Sequence, residues 1–114
     1  MELKINQNND HTYVLELSGA MNLNSSSQIK DTVMNAIQNR VELIVMNLHQ
    51  VTSVNSAGIG ALIAVSSTLK KLNCPLVIIA PEGPVMQALE LTRLKGYFTF
   101  ARSLEDALSL SDLA

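Results

Sequence analysis

Two stretches of this chain, Leu43-Ile44-Val45-Met46 and Leu76-Val77-Ile78-Ile79-Ala80, are unbroken apolar runs rich in β-branched residues. A strand with one wet face alternates apolar and polar residues, whereas a strand that is apolar at every position is covered on both faces, as in a parallel sheet flanked by helices. Between the runs, Ser56 to Leu72 reads as a helix, apolar on nearly all sides through Val65 and polar at Lys70-Lys71. It ends before Cys74-Pro75, because the residue preceding a proline disfavours the helical conformation. A strand, a helical crossover and a second buried strand make a right-handed parallel unit.

The flanking sequence extends that unit. Tyr13, Leu15 and Leu17 alternate with polar or outward residues, and Leu3 and Ile5 suggest a shorter strand before them, joined by the turn Asn8-Asn9-Asp10. So short a connection implies an antiparallel pair at one side of the sheet. Ser25 with Gln28 three residues on is a capping-box pattern, and Ile29, Val33, Ala36 and Ile37 follow at helical spacing. Pro84 suits the first turn of a third helix, expected to run to about Leu94 with Gly96 as its stop. Tyr97 to Phe100 reads as a last strand, and Ser103 with Asp106 opens a final short helix through Leu108. The expected order is β-β-α-β-α-β-α-β-α, an α/β fold with a mixed sheet of four to five strands and about four helices. With 114 residues, 47% of them hydrophobic and 16% charged, the chain can bury one core as a single domain over 1–114 and is not disordered.

Charge and cysteine content narrow the partners. Ten acidic against eight scattered basic residues give a net charge of −2, which argues against nucleic acid or an anionic membrane as the main partner. Cys74 stands alone, so no intramolecular disulfide is expected, and His11, His49 and Cys74 lack metal-ligand spacing. The first residues combine no basic leader with an apolar run, and the longest small-or-apolar stretch, Ala57 to Val65, is nine residues, about half a membrane span. The expectation is a soluble, cytoplasmic domain without metal or cofactor.

The segment Val51 to Gly60 carries what chemistry the sequence offers. It links a buried strand to a buried helix and places Ser56 at or next to the helix N-cap. Ser56 on one reading caps the helix while Gly58 and Gly60 permit close packing. On the other, a hydroxyl at a helix start, surrounded by Ala57, Gly58 and Gly60, is a site where a phosphate can be added and a partner can approach. A hydrolase elbow requires Gly-x-Ser-x-Gly, but Val54 holds the first glycine position, and no acid between His49 and Ser56 could complete a triad. Gly58-Ile59-Gly60 is not a dinucleotide fingerprint, since Ile63 holds the third glycine position, and no Walker motif is present. Ser25-Ser26-Ser27 reads as a helix start, and the dispersed methionines as core filler. A non-enzymatic binding domain is the expectation.

Leu17-Ser18-Gly19, the strand Leu43 to Leu48, the run Val54 to Leu62 and the tail from Leu89-Glu90-Leu91-Thr92 through Ser103 to Leu108 occur in the order found in STAS domains. Over roughly Leu3 to Leu108 the chain resembles the anti-sigma factor antagonists of that family. The resemblance implies partner switching: the unphosphorylated antagonist binds an anti-sigma factor that is also a serine kinase and frees the sigma factor. Phosphorylation abolishes that binding until a phosphatase restores it. Ser56 matches the phosphorylated serine, and Asn22, Asn55, Ala57, Gly58 and Gly60 match the partner-contacting surface. The resemblance also admits a regulator of a non-sigma target, or an accessory subunit of a membrane transporter. Asn22, Asn47 and Asn55 stand where family members commonly carry aspartate, so three acids are replaced by neutral amides.

Overall fold

The computed structural model describes residues 2–9, 11–79 and 83–112, with side chains included except at 8, 9 and 110–112. The expected turn residue Asp10 and the strand end at Ala80 lie outside the described residues. The elements are β1 (Glu2–Asn9), β2 (Thr12–Met21), α1 (Leu23–Gln38), β3 (Leu43–Val54), α2 (Ser56–Lys71), β4 (Leu76–Ile79), α3 (Pro84–Leu91), a 3-10 turn (Lys95–Tyr97), β5 (Thr99–Ala101) and α4 (Leu104–Asp112). They form a five-stranded sheet in the order β1-β2-β3-β4-β5. β1 runs antiparallel to β2, and the other pairs are parallel.

Strand order follows chain order, so every crossover steps the same way and right-handed connections put α1, α2 and α3 on one face. There Ile29 and Val33, Leu62 and Leu69, and Val85 and Leu89 pack with Leu15, Leu17, Ile44, Met46 and Ile78 in the larger core. α4 covers part of the other face, where Ala107 joins Val14, Leu43, Val45, Val77 and Ile79. The apolar runs in β3 and β4 are therefore buried on both sides, as their composition requires.

β3 continues well beyond its apolar run, to Val54. Its second half carries Asn47, His49, Gln50, Thr52 and Ser53, and this polar composition conceals the strand. The pairing with β2 slips twice, between Glu16 and Ser18 and between Gly19 and Ala20, each time with one extra residue in β3. Such bulges bend and extend a strand. At the first, Asn47 Oδ1 accepts the His49 amide hydrogen bond at 3.0 Å. The result is that Met21 pairs with Val54 and both strands end at the same level.

The first three helices end alike. Arg40 (φ 60°), Asn73 (φ 56°) and Arg93 (φ 61°) are left-handed. The next residue then donates back to the last turn: Val41 to Ala36 at 3.2 Å, Cys74 to Leu69 at 2.9 Å and Leu94 to Leu89 at 2.8 Å. These are Schellman closures, in which an apolar residue after the left-handed position packs on the last turn. α3 consequently stops at Leu91, not near Leu94, and Gly96 does not end it. Tyr97 also falls outside the last strand. Lys70 Nζ donates to its carbonyl at 3.1 Å and sits 3.6 Å from its ring centroid, pinning it in the 3-10 turn, so β5 begins only at Thr99. α4 starts as expected, with the Asp106 amide donating to Ser103 Oγ at 3.1 Å, but continues beyond Leu108 to Asp112.

Candidate functional site

The ends of β2 and β3 deliver two helix starts side by side. Asn22 caps α1: its Oδ1 accepts from the Asn24 amide at 3.0 Å and the Ser25 amide at 3.3 Å, while Ser25 Oγ accepts from the Asn22 amide at 2.6 Å. The capping box thus runs from Asn22 to Ser25 and not from Ser25 to Gln28. β2 ends at Met21, which hands the cap position to the very next residue, and the helix begins at Leu23. Ser25 and Ser26 are buried inside the first turn, and Ser26 Oγ donates to the Leu23 carbonyl at 2.9 Å.

α2 is capped by Asn55, whose Oδ1 accepts the Gly58 amide at 3.1 Å. Ser56 is therefore the first helical residue, next to the cap as expected, and of the two readings the one in which it caps the helix does not hold. Its side chain is exposed and makes no hydrogen bond among the described residues. The Asn55 amide donates to the Met21 carbonyl at 3.1 Å, tying the start of α2 to the strand end that leads into α1. Neither helix has an acidic residue in its first turn, so the positive ends of both dipoles stand unneutralised by side chains there.

The two glycines of this turn behave oppositely. A Cβ on Gly58 would lie 2.8 Å from the Met21 carbonyl oxygen and 2.9 Å from Met21 Cβ. Gly58 is buried and lets α2 press against the end of β2. A Cβ on Gly60 would meet nothing within 4 Å, so the expected packing role for Gly60 does not hold; it is a bare, exposed stretch of helix. Ala57 is half-buried between these two faces.

Sequence reasoning missed one feature. Beside Ser56 an open groove of about 380 Å³ runs between α2 and α3, lined among others by Ile59, Gly60, Ile63, Ala88 and Leu91. None of its lining residues is charged. Leu91, 85% exposed at its rim, is the signal that could have revealed it, an aliphatic side chain with no place in the core. Asn22, Asn55, Ser56 and Ala57 meet at the paired helix starts, Gly58 lies beneath them, and Gly60 opens onto the groove.

The other reactive groups are quiet. Cys74 is buried, and burial, with a smaller contribution from Glu42, pushes its thiol up to about 11. His11 Nδ1 lies 3.3 Å from the Arg40 carbonyl, and His49 is exposed on the bulged strand. Among the described residues no three His, Cys, Asp or Glu side chains gather as a metal site, and no helix is long and apolar enough to cross a membrane.

An α/β domain with three helices on one sheet face, one on the other and a hydroxyl at the start of the second helix is a recognisable class. The STAS domain model matches residues 2–107, and the chain belongs to that family. Among solved structures, an anti-sigma factor antagonist from Mycobacterium paratuberculosis superposes with a TM-score of 0.84 at 20% identity, covering 97% of this chain and 93% of that one. The unphosphorylated anti-sigma factor antagonist SpoIIAA gives 0.83 at 18% identity, covering 99% and 98%. The phosphorylated form of SpoIIAA, from Bacillus, gives 0.73 at 19% identity, covering 96% and 98%. At these identities the likeness is one of fold. No curated protein sequence matches the chain.

Proposed function

We propose that this chain is a single-domain anti-sigma factor antagonist of the cytoplasm, a binding module and not an enzyme. In this reading the unphosphorylated form binds an anti-sigma factor with serine kinase activity and releases the sigma factor. Phosphorylation of Ser56 ends binding, and a phosphatase reverses it. The observation that carries the reading is Ser56 itself, an exposed, unbonded hydroxyl at the first position of α2 in a STAS domain. Asn22, Asn55, Ala57 and Gly60 form the contact surface around it, and Gly58 supports that surface from below.

The physical effect needs no refolding. A phosphate adds about −1.5 to −2 charges and three acceptor oxygens. The helix dipole favours that charge within the domain. Against a partner seated over the uncharged groove, the same charge must be desolvated without compensation. Each 1.4 kcal/mol so lost weakens binding about tenfold.

The test is intact-mass measurement of the protein from its native cells with peptide mapping. The expected result is a species heavier by about 80 Da, the mass of one phosphoryl group, mapped to Ser56. An unmodified Ser56 across growth conditions overturns the switch. Ser56→Asp is expected to weaken capture of the kinase and Ser56→Ala to retain it; equal affinity for both would move the interface elsewhere.

A further inference from the structure

The Asn55-Ser56 peptide carries a chemistry of its own. In an asparagine followed by a small residue, the next backbone nitrogen is one five-membered ring away from the side-chain carbonyl carbon, Cγ. Secondary structure holds most such nitrogens back by committing their N–H groups to hydrogen bonds. After Asn24, the Ser25 amide donates to Asn22 Oδ1 at 3.3 Å; after Asn73, the Cys74 amide donates to the Leu69 carbonyl at 2.9 Å; and Ala36, after Asn35, lies inside α1. The Ser56 amide is different. It is the first of α2, where no carbonyl lies one turn back, and it has no hydrogen bond among the described residues. Asn55 and Ser56 are both exposed, so water and base reach this nitrogen.

We propose that Asn55 is a self-modification site, at which the Ser56 backbone nitrogen closes an imide ring on Cγ and converts the amide to a carboxylate. The N–H gives its proton to solvent base and the N–Cγ bond forms. The Cγ–Nδ2 bond then breaks, and Nδ2 takes up a proton and leaves as ammonia. Water opens the ring at Cγ, giving aspartate, or at the main-chain carbonyl, giving isoaspartate; nothing is oxidised or reduced. The cap favours ring closure at each stage. The positive end of α2, with no acidic residue in its first turn, favours the deprotonated nitrogen. The charge then passes to Oδ1, where the Gly58 amide already donates at 3.1 Å, as in an oxyanion hole. Nδ2, the leaving group, is held by no hydrogen bond among the described residues. Both products place a negative charge beside Ser56 that no phosphatase removes. The effect of that charge on a partner rests on the proposed function; the reaction itself does not.

The test is incubation of the purified full chain, without any partner, in mildly alkaline buffer, with peptide mapping of a mass gain of about 1 Da at each Asn-Ser pair. Asn24-Ser25 is the internal control, the same dipeptide with its amide bonded. A parallel sample in guanidinium chloride gives the rates in the unfolded chain. The expected result is conversion about tenfold faster or more at Asn55 than at Asn24 in the folded protein, and agreement within about threefold when unfolded. The rate at Asn55 should rise with pH. Ser56→Val, whose branched side chain crowds the nitrogen, should slow conversion at Asn55 and leave Asn24 unchanged. An unmodified Asn55, equal rates at the two pairs in the folded protein, or an undiminished rate in Ser56→Val overturns the proposal. So does the same Asn55 excess in the unfolded chain, which would make flanking sequence and not the helix start the cause.

Discussion

The inner and outer faces of the first turn of α2 differ in what they demand of sequence. On the inner face Gly58 sits against the Met21 carbonyl with no room for a methyl group. On the outer face, two residues away, Gly60 has open space around it and Ser56 has no bonding partner among the described residues. One short run thus does two separable things. The inner residues fix where the helix starts, and the outer residues leave a bare hydroxyl on that fixed platform. Mutations on the two faces are therefore expected to separate stability from binding.

The largest effect is expected at the inner face. Gly58→Ala puts a carbon against backbone, which cannot swing aside, and overpacking of this kind costs about 1–3 kcal/mol. Chemical denaturation should show the loss, and Gly58→Leu should be worse. Unchanged stability would mean that α2 can shift off β2 freely. Next comes Asn55→Ala, which removes the cap on Gly58 and should cost about 0.5–2 kcal/mol. Asn55→Asp should retain the cap, while its charge sharpens the contrast on the outer face through a changed rate of Ser56 phosphorylation.

Smaller effects belong outside. Gly60→Ala is expected to stabilise by about 0.5–1 kcal/mol, since alanine costs less chain entropy in a helix and meets no obstacle. If the partner approaches here, kinase binding should weaken as stability rises. Ser56→Ala removes an exposed group that caps nothing and should stay within about 0.5 kcal/mol of the parent. A pH series probes a region remote from this turn. The Cys74 thiol, held at about 11 when folded against a usual 9.0, binds its proton more tightly in the native state. Its contribution is fully present below pH 9 and is lost as pH rises from there through 11. Cys74→Ala should flatten that part of the alkaline decline.

The order of elements was legible because burial on two faces and at helical spacing leaves strong patterns, as in Leu43–Met46 and Ile29-Val33-Ala36. The helix starts were legible only to within a residue or a turn. Asn22, Asn24 and three serines all have capping chemistry, and β2 decides among them by ending at Met21. Asn55 and Ser56 compete in the same way, and the close contact at Gly58 decides for Asn55. Helix ends were harder, because glycine is the usual marker of a left-handed stop. Here arginine and asparagine occupy that conformation, which costs roughly 1–2 kcal/mol for a residue with a Cβ. The legible sign was the apolar residue that follows, Val41, Cys74 or Leu94. The groove beside Ser56 left the weakest trace, since its residues come from two helices and become neighbours only after folding.

The agreement between strand order and chain order has a consequence for synthesis on the ribosome. Each strand docks on the one made just before it, so the growing sheet never holds a gap open for a later segment. Low sequence separation between contacts is the condition for fast folding. The exception is α4, which follows all five strands in the chain and covers Val45, Val77 and Ile79. Until it arrives, the second face of the sheet is an exposed apolar surface, the kind that makes incomplete chains associate. Docking of α4 is thus the step that closes the second face of the sheet.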